Sequence, residues 1–192
     1  FDAEALDLYD QQLVEHGVFI NESRASFCEE LNPRIQYYYE LLSEGREEAS
    51  IAYRSQFSEQ PLAELRSRHE KDRVLQHSSW GVHRDDLLFH LDKRLVRDYA
   101  SQGQQKSFLI ALKLAQYEFI RDHQKTVPVL LLDDIFDKLD ERRVARLVSL
   151  VHDANFGQIF ITDTHENRTG PLVKQIDPEA RIINVSSALN EG

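Results

Sequence analysis

Residues 128–140 read PVLLLDDIFDKLD, and this stretch decides the fold class. Its apolar run lacks the alternation of a half-buried strand, which is typical of a parallel strand that is covered on both faces. The carboxylates of Asp133 and Asp134 follow the run directly, and two adjacent ionised carboxylates repel each other. We therefore expect a cation, or a partner with many hydrogen-bond donors, to lie against the end of this strand.

The sequence around this strand alternates between strand and helix patterns. The other segments, in order, are a long helix after SQGQQKS at 101–107, a helix at 140–153, the strand QIFIT at 158–162 and, after a loop, the strand RIINV at 181–185. Such alternation predicts an α/β fold with a parallel-rich sheet and flanking helices. Ligands of such sheets bind beyond the carboxyl ends of the strands, where Asp133, Asp134 and the end of QIFITDTH at 158–165 are expected to meet.

The first part of the chain has a helical pattern instead. Apolar residues at 6, 13, 20 and 27 form a seven-residue series, which predicts a long helix packed along a partner helix. We expect a break at Asn32-Pro33, because the residue before a proline disfavours the helical conformation. Gly45 is expected to end the second helical segment.

Three short elements are predicted between this helical region and the α/β region. They are an exposed strand in EEASIAYRSQ at 47–56, a helix at 61–76 that begins with a proline, and a hairpin at 87–96 with a tight turn near Asp92 and Lys93. We therefore predict a mainly helical arm domain with a small strand element over residues 1–77, and an α/β domain over residues 78–192.

Composition and charge exclude several classes of protein. The 192 residues carry a net charge of −10, which argues against a simple nucleic-acid-coating domain, since such domains are basic. Residues 1–80 hold 16 acidic and 8 basic side chains and residues 81–192 hold 17 and 15, so the second part is the better candidate for nucleic acid. No apolar run approaches about 18 residues, and we expect a cytoplasmic protein without a membrane segment. Cys28 is expected to be a small, half-buried hydrophobe.

Three short stretches carry candidate chemistry. Asp133 suits a Mg²⁺ ion bound through water and a nucleotide, and Asp134 is placed to orient or deprotonate an attacking water. Ser101 and Gly103 begin a helix whose N–H groups and positive dipole end favour an anion, although a capped helix start explains them equally well. Asp140 is well placed as a helix N-cap.

Together these stretches resemble a known family. The order GVHRDDL at 81–87, ASQGQQKS at 100–107, LLLDDIFDKLDERR at 130–143 and ITDTH at 161–165 resembles the C-terminal part of the RecF family. These are bacterial recombination-mediator ATPases with an ABC-type head related to the SMC proteins. The resemblance implies that the chain combines part of an ABC-type ATPase head lobe with a helical arm, or lid, domain.

The resemblance implies roles for particular residues. SQGQQKS is similar to the ABC signature loop, with Gln102 departing from the common pattern, and Ser101, Gly103 and Gln104 would contact the γ-phosphate of ATP held by the opposite subunit. Asp133 would serve Mg²⁺, and Asp134 would take the catalytic position that most ABC proteins fill with glutamate. Asp140 would belong to the D-loop at the dimer interface. Either His165, which matches the ABC switch histidine only loosely, or Thr164 would be the switch residue.

The same resemblance implies an ATP-dependent homodimer that holds gapped DNA or single-strand/double-strand junctions. Slow hydrolysis would release the DNA, and the protein would act with RecO and RecR in loading RecA. The phosphate-binding pattern G-x-x-x-x-G-K-[ST] is missing, because no glycine in the sequence is followed by lysine. The chain also lacks methionine and begins with Phe1. We therefore expect a fragment that is inactive alone, and a weak, DNA-stimulated ATPase in the full-length protein.

Two other functions remain open from the residues themselves. A metal-dependent phosphoryl enzyme, such as a nuclease, would use Asp133 and Asp134 as direct metal ligands, but it leaves SQGQQKS unexplained. A purely structural interaction domain would use the carboxylates only as helix caps. The run His83, Arg84, Asp85, Asp86 is open too: it is either a salt-bridged turn entering a strand or an interface or allosteric element.

Overall fold

The computed structural model describes residues 3–43, 47–133, 139–153, 156–164 and 166–185. Its helices are α1 (Ala3–Ser43), α2 (Pro61–Ser67), α3 (His69–Leu75), α4 (Val96–Tyr99), α5 (Gln102–Gln124), α6 (Glu141–Asp153) and α7 (Glu166–Ile176), and its strands are β1 (Ala49–Arg54), β2 (Asp86–Leu91), β3 (Arg94–Leu95), β4 (Leu130–Leu132) and β5 (Ile159–Ile161). The chain forms two compact units, one from Phe1–Arg34 and Glu48–Tyr99, the other from Ile35–Glu47 and Ala100–Gly192. The predicted boundary between residues 77 and 78 stays a prediction.

Helix α1 runs without interruption through Pro33, so the predicted break at Asn32-Pro33 is wrong. A proline inside a helix loses its own N–H hydrogen bond and crowds the carbonyl four residues earlier. Burial offsets that cost here, because Leu31 and Ile35 on either side are 1% and 0% exposed.

None of the helices in the described part of the chain combines the length and apolar character needed to traverse a bilayer.

The buried stripe of α1 differs from the predicted seven-residue series. Leu13 of that series is 60% exposed. The buried apolar side chains lie further along the helix, at Cys28, Leu31, Ile35, Tyr38, Tyr39 and Leu42. Burial raises the pKa of the Cys28 thiol, which fits its predicted part as a small hydrophobe.

Strands β1, β2 and β3 form an antiparallel sheet in the first unit. Ala49 pairs with Leu91 at one end of β1 and Arg54 pairs with Asp86 at the other. The predicted hairpin turn is confirmed, since Asp92 and Lys93 have φ angles of 48° and 66°, as in the two-residue turns that match strand twist. The strand predicted within 47–56 is also confirmed as β1, but it is not fully exposed, because Ala49 and Ile51 are buried.

The side chain of Asn32 completes the outer edge of β1. Its Nδ2 donates to the Ile51 carbonyl at 2.9 Å, and the Ile51 N–H donates to its Oδ1 at 2.7 Å. One amide therefore satisfies both main-chain groups that a neighbouring strand would otherwise pair. This contact also explains why Asn32, a residue with low helix propensity, stands in the middle of α1.

The helix predicted over 61–76 divides into α2 and α3. Arg68 separates them with φ −98° and ψ −6°, and Gln76 ends α3 in the left-handed region. Nearby, the rings of Phe57 and Trp80 stack with centroids 4.7 Å apart. A Cβ atom at Gly17 would lie 2.3 Å from the Phe57 ring, so only glycine fits at this point of α1.

The second unit contains the parallel pairing expected of an α/β fold. Leu130, Leu131 and Leu132 of β4 pair with Ile159, Phe160 and Ile161 of β5. Phe156 lies beside this sheet at 1% exposure, and its carbonyl accepts a hydrogen bond from the Tyr117 hydroxyl of α5. Helix α6 contributes four buried side chains: Val144, Leu147, Val148 and Val151. The predicted α/β class and the helix near 140–153 are confirmed.

Other predictions for this unit are wrong. Leu131 and Phe160 are 69% and 51% exposed, so the described residues cover only one face of the sheet. Residues 181–184 form no strand, so the predicted strand RIINV is wrong. The predicted loop before them contains α7, which was missed because Gly170 and Pro171 resemble a turn signal.

We expect Asn32→Ala to destabilise the first unit by about 1–3 kcal/mol, because the partly buried N–H and carbonyl of Ile51 lose their partners. Urea unfolding followed by circular dichroism measures the change. Glu29→Ala, at an exposed position of the same helix, is the matched control. Equal unfolding midpoints for the two variants would show that the Asn32 amide contributes nothing.

Candidate functional site

Asp133 and Thr162 lie at the same edge of the parallel sheet, directly after β4 and β5. The Thr162 N–H donates to the Leu132 carbonyl at 3.0 Å, which extends the parallel pairing by one residue. This brings the Thr162 hydroxyl to the Asp133 carboxylate, where it donates to Oδ1. Asp133 is otherwise exposed to solvent. The predicted position of Asp133 at a carboxyl strand end is therefore confirmed.

An exposed carboxylate oriented by a hydroxyl fits a Mg²⁺ ion. Magnesium keeps several waters and takes only one or two protein carboxylates, with phosphate oxygens supplying the rest. The role of Asp133 toward Mg²⁺ stays a prediction. Asp134 lies outside the described residues.

Sequence reasoning placed the end of QIFITDTH at the ligand-binding edge but did not name Thr162. The available signal was its position, because a polar residue directly after the second parallel strand falls at the ligand-binding edge. The switch candidate Thr164 lies two residues further on and is exposed, while His165 lies outside the described residues. Thr164 and Asp163 border a cavity of about 800 Å³ whose other walls include Ile161 and Val173. The switch role of Thr164 stays a prediction.

Ser101 caps the N-terminus of α5 through a reciprocal pair of hydrogen bonds. The Gln104 N–H donates to Ser101 Oγ at 3.3 Å, and the Ser101 N–H donates to Gln104 Oε1 at 2.7 Å. Serine followed three residues later by glutamine is the sequence form of this capping box. The prediction of a capped helix start is confirmed, and Gly103 lies in the first turn of the helix.

This helix start also suits an anion. Ser101 is exposed, and α5 extends over 23 residues, so its N-terminal N–H groups and dipole favour negative charge. Ser101 Oγ already accepts a hydrogen bond from Gln104, which leaves the hydroxyl proton to donate to another acceptor. A phosphate oxygen has the required chemistry. The contact of Ser101, Gly103 and Gln104 with ATP stays a prediction.

Asp140 caps the N-terminus of α6. Its Oδ1 accepts the Arg143 N–H at 2.9 Å, and its Oδ2 lies 3.6 Å from Arg143 Nε. The predicted N-cap is confirmed. A place in a D-loop is compatible with this exposed cap and stays a prediction.

Asp85 of the HRDDL stretch is a buried hydrogen-bond acceptor. Its side chain is 1% exposed. The Tyr53 hydroxyl donates to Oδ2, the Ser55 hydroxyl donates to Oδ1 at 2.9 Å, and the Gln56 N–H lies 3.4 Å from Oδ1. Burial and the hydrogen bond to Asp85 raise the pKa of Tyr53. One carboxylate thus fixes the end of β1 and the residues after it.

The same carboxylate holds the turn before β2. Nη1 of Arg24, in α1, lies 3.4 Å from Asp85 Oδ2. The same atom donates to the Val82 carbonyl at 2.7 Å. Residues Val82–Arg84 form a 3₁₀ turn. Asp86, by contrast, makes a surface ion pair with Arg54 at 2.9 Å. The interpretation of HRDDL as a salt-bridged turn entering a strand is confirmed.

The chain is similar to known proteins in both sequence and structure. The chain is 44% identical, over 186 residues and 96% of its length, to the DNA replication and repair protein RecF of Flavobacterium johnsoniae. It is similar to the structure of the recombination mediator protein RecF-ATP in the RecFOR pathway, with a TM-score of 0.72 and 26% identity over 86% of this chain and 46% of that one.

An SMC ATPase structure, described for ATP-driven dimerization and DNA stimulated activation, has a TM-score of 0.51 and 16% identity over 79% of this chain and 77% of that one, which shows the fold alone. No family model matches the sequence. The chain spans about half the length of the curated relatives it matches, 52% of the Flavobacterium protein.

We expect Thr162→Val to release the Asp133 side chain, because valine keeps the shape of threonine but removes the hydroxyl donor. Three-bond couplings of the Asp133 Cβ protons, measured by NMR, report the χ1 rotamer. The wild type and Thr162→Ser should show one dominant rotamer, and Thr162→Val an average. Unchanged couplings in the valine variant would contradict the assigned hydrogen bond.

Asp85→Asn is expected to lower the free energy of unfolding by about 2–3 kcal/mol, because a buried carboxylate with several charge-assisted hydrogen bonds is replaced by a neutral amide. The adjacent Asp86→Asn is the matched control and should cost at most about 1 kcal/mol, since it removes a surface ion pair. Thermal and urea unfolding measure both. Equal losses of unfolding free energy in the two variants would contradict the assignment of Asp85 as a buried hydrogen-bond acceptor.

Proposed function

Since this chain is a partial member of the RecF family, we propose that the protein it belongs to is an ATP-dependent DNA-binding recombination mediator. The observation that carries the proposal is the likeness to RecF along 96% of the chain. The capped helix start at Ser101 and the oriented carboxylate of Asp133 support it, because each has the chemistry that its proposed part requires.

The proposed mechanism places ATP between two head domains. Ser101 and the first N–H groups of α5, including that of Gly103, bind the γ-phosphate held by the opposite subunit, and Gln104 supports them. Asp133, oriented by Thr162, would hold a magnesium ion through water, and Asp134 would orient the attacking water. Bound Mg²⁺ supplies positive charge that offsets the charge developing on the phosphates. Asp140 and either Thr164 or His165 complete the dimer interface.

We propose that closing this homodimer clamps gapped or junction DNA and that slow hydrolysis releases it. Aspartate at 134 reaches less far than the glutamate of most ABC proteins, which suits a slow switch. Cooperation with RecO and RecR in loading RecA is part of the proposal, and the RecFOR pathway named for the RecF-ATP structure supports it. Residues 1–77 act as the arm and 78–192 as part of the head, in the cytoplasm.

The alternative functions have less support. A nuclease-like phosphoryl enzyme would use Asp133 and Asp134 as direct metal ligands, but it leaves the capped helix start at Ser101 and the rest of SQGQQKS unexplained. A structural interaction domain explains the caps at Ser101 and Asp140, but it does not explain an exposed Asp133 oriented by a hydroxyl. The nuclease-like alternative predicts activity without ATP, and the structural alternative predicts that Asp134→Asn changes nothing but stability.

The test is ATP turnover by the chain joined to the upstream half of a RecF protein, with and without gapped DNA. We expect weak turnover that DNA stimulates, and we expect Asp134→Asn to reduce it by at least about 100-fold, the usual contribution of a positioned base. Glu179→Gln, at an exposed position, is the control. Turnover that Asp134→Asn leaves unchanged would remove this assignment and favour the structural alternative.

A further inference from the structure

We propose that Glu47 is a positioning residue for the signature loop and that it links the last turns of α1 to Ser101. The inference rests on the proposed function for its consequence, but its geometry stands on contacts within the second unit. Nothing in the sequence pattern singled out Glu47, which lies between α1 and β1.

Both carboxylate oxygens of Glu47 accept hydrogen bonds. The Tyr39 hydroxyl donates to Oε2 at 2.7 Å. Gln104 Nε2 donates to Oε1. Tyr39 is itself fixed, since its side chain is 0% exposed and its ring lies 6.2 Å from that of Phe108 in α5. Tyr39 therefore fixes the Glu47 carboxylate, and the carboxylate in turn fixes the Gln104 side chain.

The carboxylate decides which way the Gln104 amide faces. A glutamine amide can turn over and exchange its oxygen and nitrogen, and the groups around it select the orientation. The capping box needs the oxygen toward the Ser101 N–H, which it accepts at 2.7 Å. The reversed amide would place its oxygen against the Glu47 carboxylate, where two acceptors repel. Glu47 therefore excludes the orientation that breaks the cap.

Loss of this contact would reach the anion-binding end of α5. With the amide reversed or mobile, the Ser101 N–H loses its acceptor, and the pairing that orders residues 101 to 104 weakens. The Ser101 hydroxyl and the first N–H groups of the helix then no longer form one fixed set of donors. A set of donors that must be ordered at each binding event binds phosphate less tightly than one already in place.

Each carboxylate oxygen of Glu47 accepts a hydrogen bond, one from Tyr39 and one from Gln104. The path Tyr39, Glu47, Gln104, Ser101 therefore runs from α1 to the signature loop through hydrogen bonds alone.

The first arm of the experiment uses the chain as it is. Amide hydrogen exchange by NMR follows Gln104 and Gln105, whose N–H groups bond to Ser101. Glu47→Ala should raise the exchange rates of both amides about tenfold, the effect of losing one hydrogen bond to a charged group. Tyr39→Phe should raise them less. Glu48→Gln, at the exposed neighbouring position, should leave them unchanged.

The second arm uses the chain joined to the upstream half of a RecF protein. The signature loop of one subunit is proposed to act on ATP held by the other, so Glu47→Ala should weaken ATP-dependent dimerisation about tenfold. ATP binding to the monomer should stay at the level of the Glu48→Gln control. A merely structural defect would instead lower monomer binding and dimerisation together, along with the melting temperature.

The outcomes separate the two proposals. Equal exchange rates in Glu47→Ala and Glu48→Gln overturn the inference, whatever the full-length protein does. Raised exchange with unchanged dimerisation also overturns it, because the loop order would then have no bearing on nucleotide. A wild-type protein that stays monomeric with ATP and Mg²⁺ overturns the proposed function instead, since no Glu47 variant is involved in that result.

Discussion

The parallel hydrogen bonds between β4 and β5 place Asp133 and Thr162 side by side, and the candidate chemistry of the second unit follows from that register. Each strand has only three residues, so its position depends on the packing around it more than on its own ladder. Buried residues of α5 and α6 provide that packing, and the Tyr117 hydroxyl fixes the main chain at Phe156 just before β5. A shift by one residue would send Thr162 to the opposite face and leave Asp133 without its donor.

Features with local causes were predictable from the sequence. The capping box depends on Ser101 and Gln104, which lie within four consecutive residues. Asp140 directly precedes the helix that it caps. The hairpin at Asp92 and Lys93 and the position of Asp133 after an apolar run are local in the same way. In each case the residues that determine the structure are neighbours in the chain.

Features that depend on distant residues were not predictable. Pro33 remains helical because of burial on either side and because Asn32 bonds to a strand 19 residues away. RIINV has the composition of a strand, but composition alone does not decide the conformation, and residues 181–184 form none. Thr162 and Glu47 were not singled out for the same reason. Thr162 bonds to Asp133, 29 residues away, and Glu47 bonds to Gln104, 57 residues away. The sequence marked HRDDL as unusual, yet only the fold shows that Asp85 is its buried member.

The face of the β4–β5 sheet that the described residues leave uncovered has a practical meaning for work with this chain. Leu131 and Phe160 place two large apolar side chains on that face, and Val129 beside them is 51% exposed. Apolar strand surfaces of this kind associate with one another as protein concentration rises. Purified chain should therefore be handled dilute and checked by light scattering, because self-association through this face would otherwise be mistaken for a nucleotide-dependent dimer.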